Sequence, residues 1–207
     1  MGGERLDALR LDEHGAQGDR KYALWQRGDR RLTARVAPRM LAWRASVAGE
    51  LTVTAPDGRT FGWDKALQQA VSEDLGRGVD LVRDPRGMPD ASPLHVTFEA
   101  SRRRLAEELG RDVDVRRFRP NVHVDLDAEP FAEQDWEGRR LRVGRAELDV
   151  VGVTDRCAIT IRDPETLEPS PDLLRHVNDE HGSLFGVWAE VRRAAEIRVG
   201  DPVEVVA

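Results

Sequence analysis

The chain has 207 residues, 40% hydrophobic and 34% charged, enough apolar material for one sizeable core or two smaller ones in a globular protein. Its formal net charge of -6 comes from interspersed arginines and acids rather than blocks, which argues against a nucleic-acid partner. No apolar run approaches the roughly 20 residues that cross a bilayer, the start Met1-Gly2-Gly3-Glu4-Arg5 lacks a signal-peptide core, and one cysteine excludes an intrachain disulfide or a four-cysteine zinc site, so a cytoplasmic protein without membrane contact is expected.

From Leu6 to Val53, short apolar alternations predict an antiparallel meander: Leu9 and Leu11, then Tyr22, Leu24 and Trp25, the turn Gly28-Asp29, then Leu32 and Ala34. Leu51 and Val53 lead to the turn Pro56-Asp57-Gly58, with Phe61 and Trp63 as the return strand. Asp64 is placed to cap a helix in which Leu67, Val71 and Leu75 recur every four residues and Gly76 supplies a left-handed stop. Val79, Leu81 and Val82 precede a loop, Arg83 to Asp90, rich in Pro, Gly and Asp, a kind that often lines sites.

Leu94 and Val96 predict a strand, and Ser101 to Leu109 a helix with Leu105 and Leu109 on one face and Gly110 as its stop. His95 and His123 alternate with apolar residues and are expected to point away from them, toward the surface rather than a metal. Strand signals dominate the remainder: Val122 and Val124; Leu141, Val143, Leu148 and Val150 about Gly144-Arg145; Ala158 to Ile161 after Cys157; and Ile197, Val199, Val203 and Val205 about Gly200-Asp201-Pro202. His176 and His181 lie where they can rim a pocket, and no metal-binding His pair, Ser-His-Asp order or phosphate-binding loop is evident. Many short strands with few helices argue for a mainly β, barrel-like fold.

Four segments in order, Phe118-Arg119-Pro120-Asn121, Phe131-Ala132-Glu133-Gln134-Asp135-Trp136, Arg156-Cys157 with Asp163-Pro164-Glu165-Thr166, and Leu184-Phe185-Gly186-Val187 with Ile197 to Val203, together resemble the MOSC family. Gly3-Glu4, Gly18 to Leu24, and Leu32 to Arg35 with Pro38 resemble the small β-barrel domain that precedes MOSC in its amidoxime-reducing type. The resemblance implies a MOSC-like β-barrel with a few short helices and a small N-terminal β domain, divided as 1-75 and 76-207. In that type an opening strand and a lysine-serine pair that helps bind the cofactor come just before Gly-Glu. The first domain is therefore expected to expose a strand edge, short and charged by Arg5, Asp7 and Arg10 or covered in a homodimer.

The same resemblance implies a molybdenum cofactor, a molybdopterin, with Cys157 as metal ligand and catalytic residue; a soft thiolate suits a metal already held by dithiolene sulfurs. It implies Arg119 and Asn121, with Arg20, as anchors of the cofactor's phosphate, because a guanidinium holds phosphate oxygens in two parallel hydrogen bonds. Ser92, in the loop before a strand, is a further candidate, as is Arg156, which favours a thiolate, whereas Asp155 opposes it. The leading expectation is a reductase of N-oxygenated or S-oxygenated small molecules. Lacking an iron-sulfur cysteine set and a dinucleotide fingerprint, the chain would need a separate electron-donor reductase. The alternatives are a cofactor or sulfur carrier, with Cys157 as persulfide, and a repurposed MOSC fold without molybdenum.

Overall fold

A computed structural model describes residues 5–26, 30–47 and 51–206; the expected Gly28-Asp29 turn and the Gly3-Glu4 element lie outside them. The chain forms two compact units, neither contiguous: of the described residues one holds 5, 18–88 and 162–168, the other 6–17, 89–161 and 169–206. Strands β1 (Ala8–Asp12) and β2 (Gly15–Ala16) belong to the second unit.

The first unit begins with the hairpin of β3 (Tyr22–Gln26) and β4 (Arg30–Leu32), followed by a meander of β5 (Arg44–Ser46), β6 (Thr52–Thr54) and β7 (Thr60–Phe61). Gly58 turns the last hairpin at φ 88°. Helix α1 (Lys65–Leu75) starts where the Asp64 side chain accepts from Leu67 N at 2.9 Å and stops at left-handed Gly76. Its buried Leu67 and Val71 pack with Leu24, Trp43 and Val53, while Trp43 Nε1 donates to Asp74 at 2.8 Å, fastening the helix's far end. Strand β8 (Val79–Arg83) then returns to pair with β3. The expected boundary at 75/76 falls between α1 and β8, both in this unit.

In the second unit, β9 (Leu94–Phe98) runs into α2 (Glu99–Leu109), capped at its end by Gly110 at φ 64°. After β10 (Val122–Val124), the hairpin of β11 (Arg140–Val143) and β12 (Ala146–Asp155) turns through Gly144. Helix α3 (Asp172–Glu180), β13 (Leu184–Arg193), β14 (Glu196–Arg198) and β15 (Val203–Val206) complete it. The fold is mainly β, as expected, with a six-stranded half-barrel sheet ordered β10-β9-β13-β12-β11-β15. Every pair in it is antiparallel except β10–β9. Leu94, Val96 and Phe98 enter one core with Leu141, Leu148 and Val187; Leu105, Phe118, Leu173, Val177 and Phe185 form another.

Three expectations fail, two of them for non-local reasons. The meander does not run from Leu6, because β1 lies between β14 and β2, so the charged edge expected there is paired on both sides. Ala158–Ile161 is a 3-10 turn rather than a strand, closed by Thr160 N donating to the Cys157 carbonyl at 3.0 Å. His95 is 2% exposed, not at the surface, because all five residues of β9 are buried between β10 and β13. Among the described residues no helix is long and apolar enough to cross a membrane.

His123 does lie outside, where its Nε2 meets Glu99 at 2.9 Å and its Nδ1 meets the Thr97 hydroxyl at 2.8 Å. Glu99 also accepts from Arg102 Nε at 2.6 Å and Arg103 Nε at 2.9 Å, tying α2 to β10. The Arg102 hydrogen bond, opposed by desolvation and helped by His123, brings the Glu99 carboxyl down to about 2 from an ordinary 4.5. A carboxyl depressed on folding stabilises fully above the unfolded value and loses that contribution as pH falls toward the folded one. Urea midpoints of the parent should therefore drop between pH 5 and pH 2, and Glu99→Gln should flatten that drop; an equally steep fall in the variant would place the acid sensitivity elsewhere.

Candidate functional site around Cys157

Cys157 lies just beyond β12, half-buried, where the strand gives way to the 3-10 turn. Its backbone is fastened on both sides: Arg156 N donates to the Ser183 carbonyl at 2.7 Å, and the buried Arg117 guanidinium donates to the Ile161 carbonyl at 3.2 Å. Thr154 and Thr160 flank it, both essentially buried, and neither hydroxyl has a hydrogen-bond partner. Leaving a hydroxyl buried and unsatisfied costs about 1–3 kcal/mol, so the chain on either side of Cys157 carries hydrogen-bonding capacity that it does not itself use.

Arg156 points the other way along the strand end. Its guanidinium donates to the Phe118 carbonyl at 2.9 Å and covers the Phe118 ring at 5.2 Å, and that ring stacks on Phe185 at 3.8 Å. It also lies 3.3 Å from His95 Nε2. A guanidinium only donates, so this contact is a hydrogen bond when the imidazole is neutral with its proton on Nδ1. The Phe185 carbonyl, 3.4 Å from the same nitrogen, is served by the other tautomer.

Asn121 reaches His95 through the backbone. Its N–H donates to the His95 carbonyl at 2.8 Å and its side-chain oxygen accepts from His95 N at 2.9 Å, setting the register at which β10 leaves beside β9. Two of the sequence candidates, Asn121 and Arg156, thus meet on a histidine that sequence reasoning placed elsewhere. Gly186 permits this approach: at φ 77°, an added Cβ would stand 2.5 Å from the Val96 carbonyl oxygen and 2.9 Å from His95 Nε2.

The remaining candidates are distributed. Arg119 closes the 3-10 turn Val115–Phe118 in a left-handed conformation at φ 56°. Arg20, in the first unit, is left-handed at φ 52°, with its Nε 3.6 Å from Asp19 and its buried NH1 without a hydrogen-bond partner. Such backbone costs on the order of 1–3 kcal/mol in a non-glycine residue and persists where surrounding structure demands it. Ser92 is buried, and its hydroxyl donates to the Ala189 carbonyl at 2.8 Å, stitching the start of β9 to β13. Asp155 ends β12, exposed and opposite Leu184. Asp163 makes the expected turn, accepting from Glu165 N and Thr166 N at 2.9 Å each. His95, Arg117, Thr154 and Thr160 were not anticipated; the uninterrupted run of apolar, aromatic and β-branched neighbours about His95 is the pattern of a strand buried on both faces.

A half-barrel whose central strands carry a cysteine-bearing turn at one end, preceded by a small β unit, is an architecture with known relatives. Residues 83–204 match the model of the MOSC domain and residues 1–84 that of the MOSC N-terminal beta barrel domain, and the chain belongs to the MOSC family. It is 33% identical over 129 residues to mitochondrial amidoxime-reducing component 1 of Danio rerio, covering 58% of this chain and 39% of the relative. It is 35% identical over 128 residues to mitochondrial amidoxime reducing component 2 of Rattus norvegicus, covering 56% and 37%. The matched region therefore spans well under half the length of these relatives. The crystal structure of the YuaD protein from Bacillus subtilis is similar in fold, with TM-score 0.54 and 16% identity over 98% of this chain and 86% of that one.

Gly186→Ala should destabilise the second unit by on the order of 2–4 kcal/mol, because both the left-handed backbone and the clash with Val96 oppose it. Chemical denaturation monitored by tryptophan fluorescence measures this; a midpoint equal to the parent's would show that β13 does not need the close approach.

Proposed function

We propose that this chain binds molybdenum cofactor with Cys157 as the metal's protein ligand and serves in the reduction of N-oxygenated or S-oxygenated small molecules. One observation carries the reading: a half-buried thiol, fastened at the end of a strand, flanked by the unpartnered buried hydroxyls of Thr154 and Thr160. The donor set fits such a group. A thiolate is the soft ligand that molybdenum accepts, and the two hydroxyls offer hydrogen bonds to an oxygen-rich anion. Family membership and the amidoxime-reducing names of the relatives support the same class of activity.

When bound, the cofactor supplies two-electron redox chemistry at molybdenum, the chemistry that removes an oxygen atom from nitrogen or sulfur. The chain's part is to hold and orient. Cys157 would ligate the metal; Arg119 would anchor phosphate oxygens from a left-handed backbone position; Asn121 holds the Arg119 segment to β9 through His95. Arg156, engaged with Phe118 and His95, keeps the strand end rigid and places a positive charge next in sequence to the thiol, while Asp155 opposes it. Ser92 contributes by fixing the start of β9. Electrons come from a separate reductase.

Protein from a cofactor-producing host should contain near-stoichiometric molybdenum by elemental analysis, and Cys157→Ser should abolish most reductase activity on amidoxime substrates, because a hard hydroxyl replaces the soft donor. Arg119→Ala should lower cofactor retention while leaving the metal's spectrum in the retained fraction unchanged. A protein that takes up no molybdenum on reconstitution would overturn the proposal. Persulfide formed on Cys157 without stable metal would indicate a carrier instead.

A further inference from the structure

Away from Cys157, the end of α2 and the end of α3 bring three potential metal ligands together. Glu108 Oε2 lies 2.8 Å from His176 Nε2 and 2.7 Å from His181 Nε2, and the three donor atoms all fall within 4.8 Å of one another. His176 sits on α3, whereas His181 follows its last residue with φ -125° and ψ 21°, so its ring turns back beside that of His176, 5.7 Å between centroids. Stacking on Phe131 at 4.0 Å fixes the His181 plane. Both imidazoles are largely shielded yet not sealed, which leaves room for a water.

We propose that Glu108, His176 and His181 form a binding site for a divalent transition-metal ion, zinc above all, independent of Cys157. Two imidazoles and one carboxylate are a ligand set zinc uses with an open fourth position. Bonds of 2.0–2.1 Å in a tetrahedron separate ligands by about 3.3 Å, so the carboxylate oxygen need retreat from each nitrogen by only about half an ångström. Arg104, whose Nε is 3.8 Å from Glu108 Oε1, is half exposed and its charge is screened by solvent. A bound ion would cross-link the helix ends that flank the core of Leu105, Leu173 and Val177.

Calorimetric titration of the metal-stripped chain with zinc chloride should show one saturable site, and zinc should raise the melting temperature. Cobalt(II) in the same site should give visible absorption of a nitrogen-oxygen ligand set without a thiolate charge-transfer band. His176→Ala, which leaves the Phe131 stack untouched, and the near-isosteric Glu108→Gln should each weaken zinc at least tenfold, whereas Cys157→Ser should bind as the parent does. Circular dichroism verifies that the variants are folded. Absence of saturable zinc binding, binding unaltered in both Glu108→Gln and His176→Ala, or binding lost with Cys157→Ser would each overturn the proposal.

Discussion

Strand β9 is buried along its whole length, and the arrangement around Cys157 depends on that constraint. A strand covered on both faces offers water no access to its polar groups, so each must find a partner in the chain or leave a cost of the order of a kilocalorie or more. His95 is met through its backbone by Asn121 and through its ring by Arg156, and Thr97 is met by His123. Those partners come from the loop before β10, the end of β12, and β10 itself. Burying five residues thus aligns two separate segments, and the turn bearing Cys157 is positioned as a result.

This also explains why the proposed site draws on residues with ordinary structural duties. Asn121 carries a register, Arg156 caps an aromatic stack, and Ser92 closes a ladder. A scaffold whose side chains are already fixed by packing presents a ligand with little to reorganise, which is the usual basis of tight and specific coordination. The left-handed arginines fit the same logic, since an unfavourable backbone is retained only where its surroundings hold it.

Features decided within a few residues were legible in the sequence. Asp64 and Gly76 bracket α1, Gly110 ends α2, and Gly144 turns the β11–β12 hairpin, because capping and left-handed turns are local chemistry. Features decided by distant partners were not. Nothing in Ala8–Asp12 announces that it pairs with Glu196–Arg198; Ala158–Ile161 is a local exception, its alternation resembling a strand until its turn hydrogen bond is seen. Cys157, Arg119 and Asn121 became candidates through family resemblance, whereas Thr154 and Thr160 look in sequence like any β-branched strand residues. His176 and His181, five apart, do not share a helical face; they meet because α3 has ended at Glu180, and Glu108 joins them from another helix.

The interleaving of the two units has a consequence for how the chain reaches its native state. Strand β1 meets β2 within a few residues, but its other partner, β14, follows every other strand of the second unit except β15, so that side stays unmatched until they have been made. Closing so long a loop adds entropy only logarithmically, so the native pairing remains stable once made, but non-local topology slows the search for it. Residues 162–168 impose a similar delay on the first unit, the rest of which precedes residue 89. Vectorial folding therefore cannot finish either unit before most of the chain has emerged, and no single uninterrupted fragment contains one unit without part of the other.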